Sequence, residues 1–412
     1  MRELIRHRDF RLLLAGQTLA MFGDWTLLLV FGIWAKTLTG SNAVAGLTVF
    51  AMVAPGLLAP FAGVVVDRLP RRAVMIGLNL VSAVVVSSLW FVHDRDQLWI
   101  LFAVAVWYGF SGVMFNAAIS GLVQAMLPMD LVGPANGLLA TVRQGLRLIG
   151  PLAGAGLFAY AGGRWVATLD AAILVLASVV LLFLRHREIR APRVVVPFRV
   201  ELTAGLLHLW RSPLLRRLAV TTVLFSVAIG MVEPTVYALV GDGLRRPPEF
   251  VGVLVSVQGA GAILGGIVVS GAIRRVSEPT LIVVGLLVIA AGAALCTIPA
   301  LPAALLGFGL VGVGIPLLGV AIATLLQRCT PNEVMGRVAA GYDMIGTVPT
   351  TASIAAGAIL VGLWPFQLIL GLTAVGCVAA ALSMLPARRA LSAVGTGAPP
   401  PASGVPGVVP AP

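Results

Sequence analysis

Asp24, Arg147 and Glu233 stand inside long apolar stretches of the sequence. A charge at the centre of a bilayer costs at least about 2.5–3.5 kcal/mol on insertion scales, so such residues mark ion, proton or substrate pathways. Two kinds of chemistry fit a carboxyl at mid-depth: exchanging a proton, or holding a cationic ligand. At 1.5 Å per helical residue, Asp24 lies about 20 Å and Arg147 about 18 Å from the same end of their segments. The two are placed to pair, either as a purely structural ion pair or as part of a lined cavity. Gln17 is seven residues before Asp24 and shares its helical face. Glu233 precedes Pro234 in the outer half of its segment, and Asn116 adds a polar side chain to another. Asp170 opens a segment of its own and reads as peripheral. No His-Glu-x-x-His, Gly-x-Ser-x-Gly or Walker loop occurs, so the pattern points away from an enzyme and from nucleotide drive. The four histidines fall outside the apolar stretches, and Cys296, Cys329 and Cys377 lie far apart. Neither set has metal-ligand spacing, and no cofactor or metal is expected.

The elements that must position these residues are membrane spans. The chain has 412 residues, 59% hydrophobic and 11% charged, with a mean hydropathy of +1.02. A soluble domain carries about 25% charged residues. Twelve apolar segments are read at about 11–38, 43–66, 73–92, 98–126, 135–161, 165–184, 217–240, 249–273, 280–298, 302–327, 338–362 and 365–385. The fold class is therefore an all-α membrane protein with twelve transmembrane helices. Of the 28 basic residues all but Lys36 are arginine, and they gather at alternate ends of the segments. That asymmetry sets topology rather than nucleic-acid binding: both termini are expected on the cytoplasmic side of the cell (inner) membrane. The chain divides into an N-terminal six-helix half (1–184), an arginine-rich cytoplasmic linker (185–216), a C-terminal six-helix half (217–386) and a disordered Ala/Pro/Gly-rich tail (387–412).

The halves repeat. A shift of 203 residues lays Gly63 on Gly266, Arg71 and Arg72 on Arg274 and Arg275, and Pro128, Asp130 and Gly133 on Pro331, Glu333 and Gly336. Six segments separate the copies, so both have the same membrane orientation. Parallel repeats of this kind build two halves about an axis along the membrane normal.

The motifs carry a resemblance. Gly63, Asp67, Arg68, Arg71 and Arg72 resemble the signature between spans 2 and 3 of the major facilitator superfamily, with Pro70 where the family has Gly. In span 5, Gly150, Pro151, Gly154 and Gly156 resemble the Gly-Pro motif of its proton-coupled exporters, with Ala155 replacing the second of the paired glycines. The segment from Pro331 to Val338 and the pair Ala135–Asn136 are similar to the branch with enterobactin-type siderophore exporters and macrolide or multidrug efflux proteins.

The resemblance implies a cytoplasmic latch at Asp67 and its arginines, with Glu333 and Arg337 as counterparts and Asp343 in the inner gate. It implies a monomeric exporter of a small amphipathic organic molecule, working by alternating access and proton antiport. Its partners are then the substrate, the proton and the lipid bilayer. Two alternatives stay open: uptake or lysophospholipid-type transport by the same fold, and a membrane scaffold or receptor. On the small-residue stripe of span 5, Arg143 and Arg147 share the helix-facing side. Arg143 has the alternative of snorkelling to the cytoplasm.

Overall fold

The computed structural model describes residues 4, 6–59, 62, 66, 69–184, 207–273, 275–331 and 334–394, without the side chains of 129, 130, 336 and 387–394. The described residues contain helices and no strand. In lipid, backbone N–H and C=O groups must be satisfied within the segment, and a helix does this. We number the long helices α1 Arg8–Thr39, α2 Asn42–Leu58, α3 Arg71–Phe91, α4 Arg95–Met126, α5 Met129–Ala161 and α6 Gly163–Leu182. The second half holds α7 Pro213–Gly243, α8 Pro248–Ala272, α9 Glu278–Leu295, α10 Leu301–Cys329, α11 Met335–Leu360 and α12 Phe366–Val394.

Ten of these are long and apolar enough to cross a membrane. The described part of α2 is shorter than that measure requires, and α5 carries Arg143 and Arg147. Local signals set the ends. Ser41 and Ser212 accept the backbone N–H of Val44 and Leu215 at the starts of α2 and α7. Gly40 closes α1 at φ 69°, a left-handed conformation that glycine adopts freely. The last helix runs to Val394, eight residues into the segment read as tail. Residues 207–211 are helical as well, at the end of the segment read as linker, while 185–206 lie outside the described residues.

The packing shows the repeat. In the first half α1 packs on α5 and α6, and α3 on α4 and α6; in the second, α7 packs on α11 and α12, and α9 on α10 and α12. Three buried apolar clusters then divide the molecule. One joins the halves at a single end, bringing Phe31, Trp34 and Tyr108 together with Tyr237, Leu239 and Phe366. At the other, arginine-rich end each half has its own cluster: Phe10, Met75 and Leu122 in the first, Leu218, Leu286 and Met384 in the second. The halves thus meet at one end and part at the other.

Small residues allow the close approaches. A Cβ at Gly154 would fall on the Thr26 carbonyl, and one at Gly150 on Trp25, so both glycines seat α5 against α1. The opposite contact, to α8, is made by Ala155, whose Cβ lies 2.6 Å from where a Cβ of Gly252 would stand. Gly156 faces open space. Forcing a methyl into a well-packed interface costs about 1–3 kcal/mol. Gly154→Ala is therefore expected to lower thermal stability in detergent, and Gly156→Ala to leave it unchanged.

Candidate functional site

Asp24 sits on α1 and turns into the first half. There it lines one small cavity together with Tyr108 of α4. The Tyr108 hydroxyl donates to Oδ2 of Asp170 on α6 at 2.8 Å. Tyr108 and Asp170 are 4% and 1% exposed. Oδ1 of Asp170 has no hydrogen-bond partner and points at Gly23, where a Cβ would collide with it. Gly23 is thus the cradle that admits a carboxyl between α1 and α6. The cavity beside Asp24, of about 30 Å³, is also lined by Asn79, Ser82 and Ser111. Nδ2 of buried Asn79 has no partner. Gln17 is also buried, with Oε1 unpartnered, and does not line that cavity.

Arg147 is not paired with Asp24. Its guanidinium stacks over the Trp25 ring at 5.7 Å and faces the field of Glu233 on α7, in the other half. Glu233 is exposed, and no ion pair joins it to Arg147. A cation of the first half and an anion of the second therefore lie within electrostatic range of each other. Arg143 and Asn116 are exposed, and Asn116 returns its amide to the Gly112 carbonyl of its own helix.

At the joined end a polar chain crosses between halves. Lys36 donates to Asn42 Oδ1, and Asn42 Nδ2 donates to Asp242 Oδ2 of α7 at 2.9 Å. At the parted end, Arg71 donates to the Gly121 carbonyl at 3.0 Å, and Arg72 to the Leu181 and Leu182 carbonyls at 3.0 and 2.6 Å. The Leu181 and Leu182 carbonyls close α6, where cations are favoured by the helix dipole, and Gly121 lies in the last two turns of α4. Gly63, Asp67, Arg68 and Glu333 lie outside the described residues. Arg337 and Asp343 are exposed on α11. A contact with no sequence signal ties α9 to α10: Glu278 Oε1 to Arg328 Nη1 at 2.6 Å, with the Glu278 side chain 8% exposed.

A two-lobed bundle of long apolar helices with polar groups sunk in its core is a multi-pass membrane protein. The Major Facilitator Superfamily model matches residues 13–353, and the chain belongs to that family. It is 26% identical to the MFS-type transporter YfiS of Bacillus subtilis, covering 84% of this chain and 85% of that one. It is 25% identical to the multidrug resistance efflux pump PmrA homologue of Lactococcus lactis, over 75% and 76% of the two chains. A crystal structure of a bacterial homologue of the iron transporter ferroportin, in an inward-facing state, overlays with a TM-score of 0.69 at 16% identity, covering 92% and 98%. That likeness is one of fold. A small-molecule substrate follows from membership of the family.

The Asn42–Asp242 contact gives a direct check on the joined end. With Cys296, Cys329 and Cys377 replaced by serine, Asn42→Cys combined with Asp242→Cys is expected to cross-link under mild oxidation. A gel-mobility assay after cleavage between the halves reads this, and an uncross-linked pair contradicts the closure.

Proposed function

We propose that the protein exports a small amphipathic organic molecule by proton antiport, through alternating access between residues 1–184 and 217–386. The observation that carries this reading is that carboxyls are kept inside the bilayer at two separate places. Asp24 is held with Tyr108 and Asp170 inside the first half. Glu233 of the second half lies within electrostatic range of Arg147 of the first. A structural protein gains little from such costly residues, whereas a coupled carrier needs one group for the ion and one surface for the cargo. The likeness to a multidrug efflux pump homologue supports export and an organic cargo.

The positive-inside rule places the arginine-rich end, and with it both termini, in the cytoplasm. The halves part at that end, so the protein stands open to the cytoplasm. Arg71 and Arg72, with Asp67, Arg68, Glu333 and Arg337, then form the latch that closes this end when the other opens. Asp343 belongs to the same inner gate. Asp24 exchanges the proton; Arg147, Glu233, Trp25 and Asn116 face the cargo, and Gln17 supports Asp24 from within the half. The Gly150–Pro151–Gly154 stretch is the joint on which α5 turns against α1 and α8. Each proton moved down a 100 mV potential supplies about 2.3 kcal/mol.

Inside-out vesicles with an imposed pH gradient test this reading against a panel of hydrophobic drugs, macrolides and siderophores. At least one compound class is expected to collapse the gradient. Asp24→Asn is expected to reduce that flux by about tenfold or more, as for loss of a proton-transfer group. Compounds that bind tightly without collapsing the gradient would contradict antiport and favour uptake or lipid transport.

A further inference from the structure

We infer that Asp24, Tyr108 and Asp170 form a single proton-holding unit with two carboxyl seats, in which Asp170 is a second proton-handling residue reached through Tyr108. This rests on the antiport reading and names a part that it leaves unassigned.

The chemistry follows from counting hydrogens. A phenol has one O–H to donate. Tyr108 gives it to Asp170 Oδ2. Asp24 lines the same cavity as Tyr108, close enough for its carboxylate to act on the phenol. With both carboxyls ionised, Asp24 would face a phenol oxygen with no hydrogen left for it. A proton on Asp24, donated to that oxygen, completes the set, so the unit holds one proton beyond the phenol's own.

Among the described residues the surroundings offer no cation to replace that proton. α3 presents Asn79 and Ser82, and α4 presents Tyr108 and Ser111. Among described residues α2 has no titratable side chain. From α5, Arg147 is turned onto Trp25. From α7, Tyr237 abuts Gly32, two turns along α1, and Glu233 lies within electrostatic range of Arg147. Arg71 and Arg72 of α3 are engaged with the ends of α4 and α6. Glu249 lies in the first turn of α8, in a segment that touches α1.

The two seats differ in access to water. Asp24 lines the cavity of about 30 Å³, which has room for one or two waters. Asp170 is sealed, with Oδ1 against Gly23 and Oδ2 on Tyr108. Transfer between seats is balanced. The Asp24 O–H bond breaks as its proton joins the Tyr108 oxygen, and the Tyr108 O–H bond breaks as its hydrogen joins Asp170. The phenol ends neutral, and one carboxyl is exchanged for the other. Release to the cell interior then runs from Asp24 into the cavity water, while Asp170 keeps the proton from leaking at other times.

Two measurements test the unit. In the vesicle assay, Tyr108→Phe and Asp170→Asn are each expected to cut proton-coupled flux by about tenfold or more while substrate binding stays within about threefold of wild type. Independently of any flux, infrared spectra of the purified protein at neutral pH are expected to show a protonated-carboxyl band. That band should shift in Tyr108→Phe, which removes one oxygen and keeps the ring. Coupled flux at wild-type level in Tyr108→Phe, or a band that does not move in it, overturns the inference. A wild-type protein without coupled flux sinks the antiport reading instead, and the infrared band still decides the unit. Should Asp170→Asn fail to fold, Tyr108→Phe alone decides.

Discussion

A bilayer supplies no water to a polar group buried in the bundle, so each one left unanswered is costly. Asp170 shows how far this constraint shapes the fold. Its carboxyl is sealed between α1 and α6, answered by one phenol from α4, and admitted only because residue 23 has no side chain. Three helices of the first half are thereby tied to one another at mid-depth. The tie fixes which face of α1 looks inward, and so which side chains are left to face the second half.

The remaining face of α1 carries Trp25 and Thr26, and α5 is seated on it through Gly150 and Gly154. On its other side α5 meets α8 through Ala155 and Gly252. A line of close contacts therefore runs from the first half's interior to the second half. Interfaces packed this tightly slide or rock as units rather than deform. With one end joined by the Lys36–Asn42–Asp242 chain and the other parted, the arrangement suits a rocking motion about the α5–α8 contact.

Much of this was legible from residues alone. The twelve apolar segments, the 203-residue repeat and the motif resemblance led to the fold, because length, hydropathy and offset are one-dimensional properties. The role of Tyr108 was not legible. A tyrosine in an apolar run looks like packing, and Asp170 at the head of a segment looks peripheral; only the folded chain brings both to Asp24. Equal depth also makes Asp24 and Arg147 a candidate pair. Depth does not fix direction around a helix, and successive residues point about 100° apart. Asp24 turns into its own half, while its neighbour Trp25 receives Arg147. The latch arginines were legible as a motif, but their hydrogen bonds to the ends of α4 and α6 depend on how three helices converge.

Alternating access is the claim on which the rest turns, and spin-label distances measure it most directly. Gln124 and Gln327 are exposed at the parted end, related by the repeat, and Thr37 and Arg246 are exposed at the joined end. Pulsed electron resonance on labels at each pair, with pH and substrate varied, is expected to show opposite changes. The Gln124–Gln327 distance should shorten under the conditions that lengthen Thr37–Arg246. Distances that stay fixed at both ends, or that lengthen together, would contradict the account.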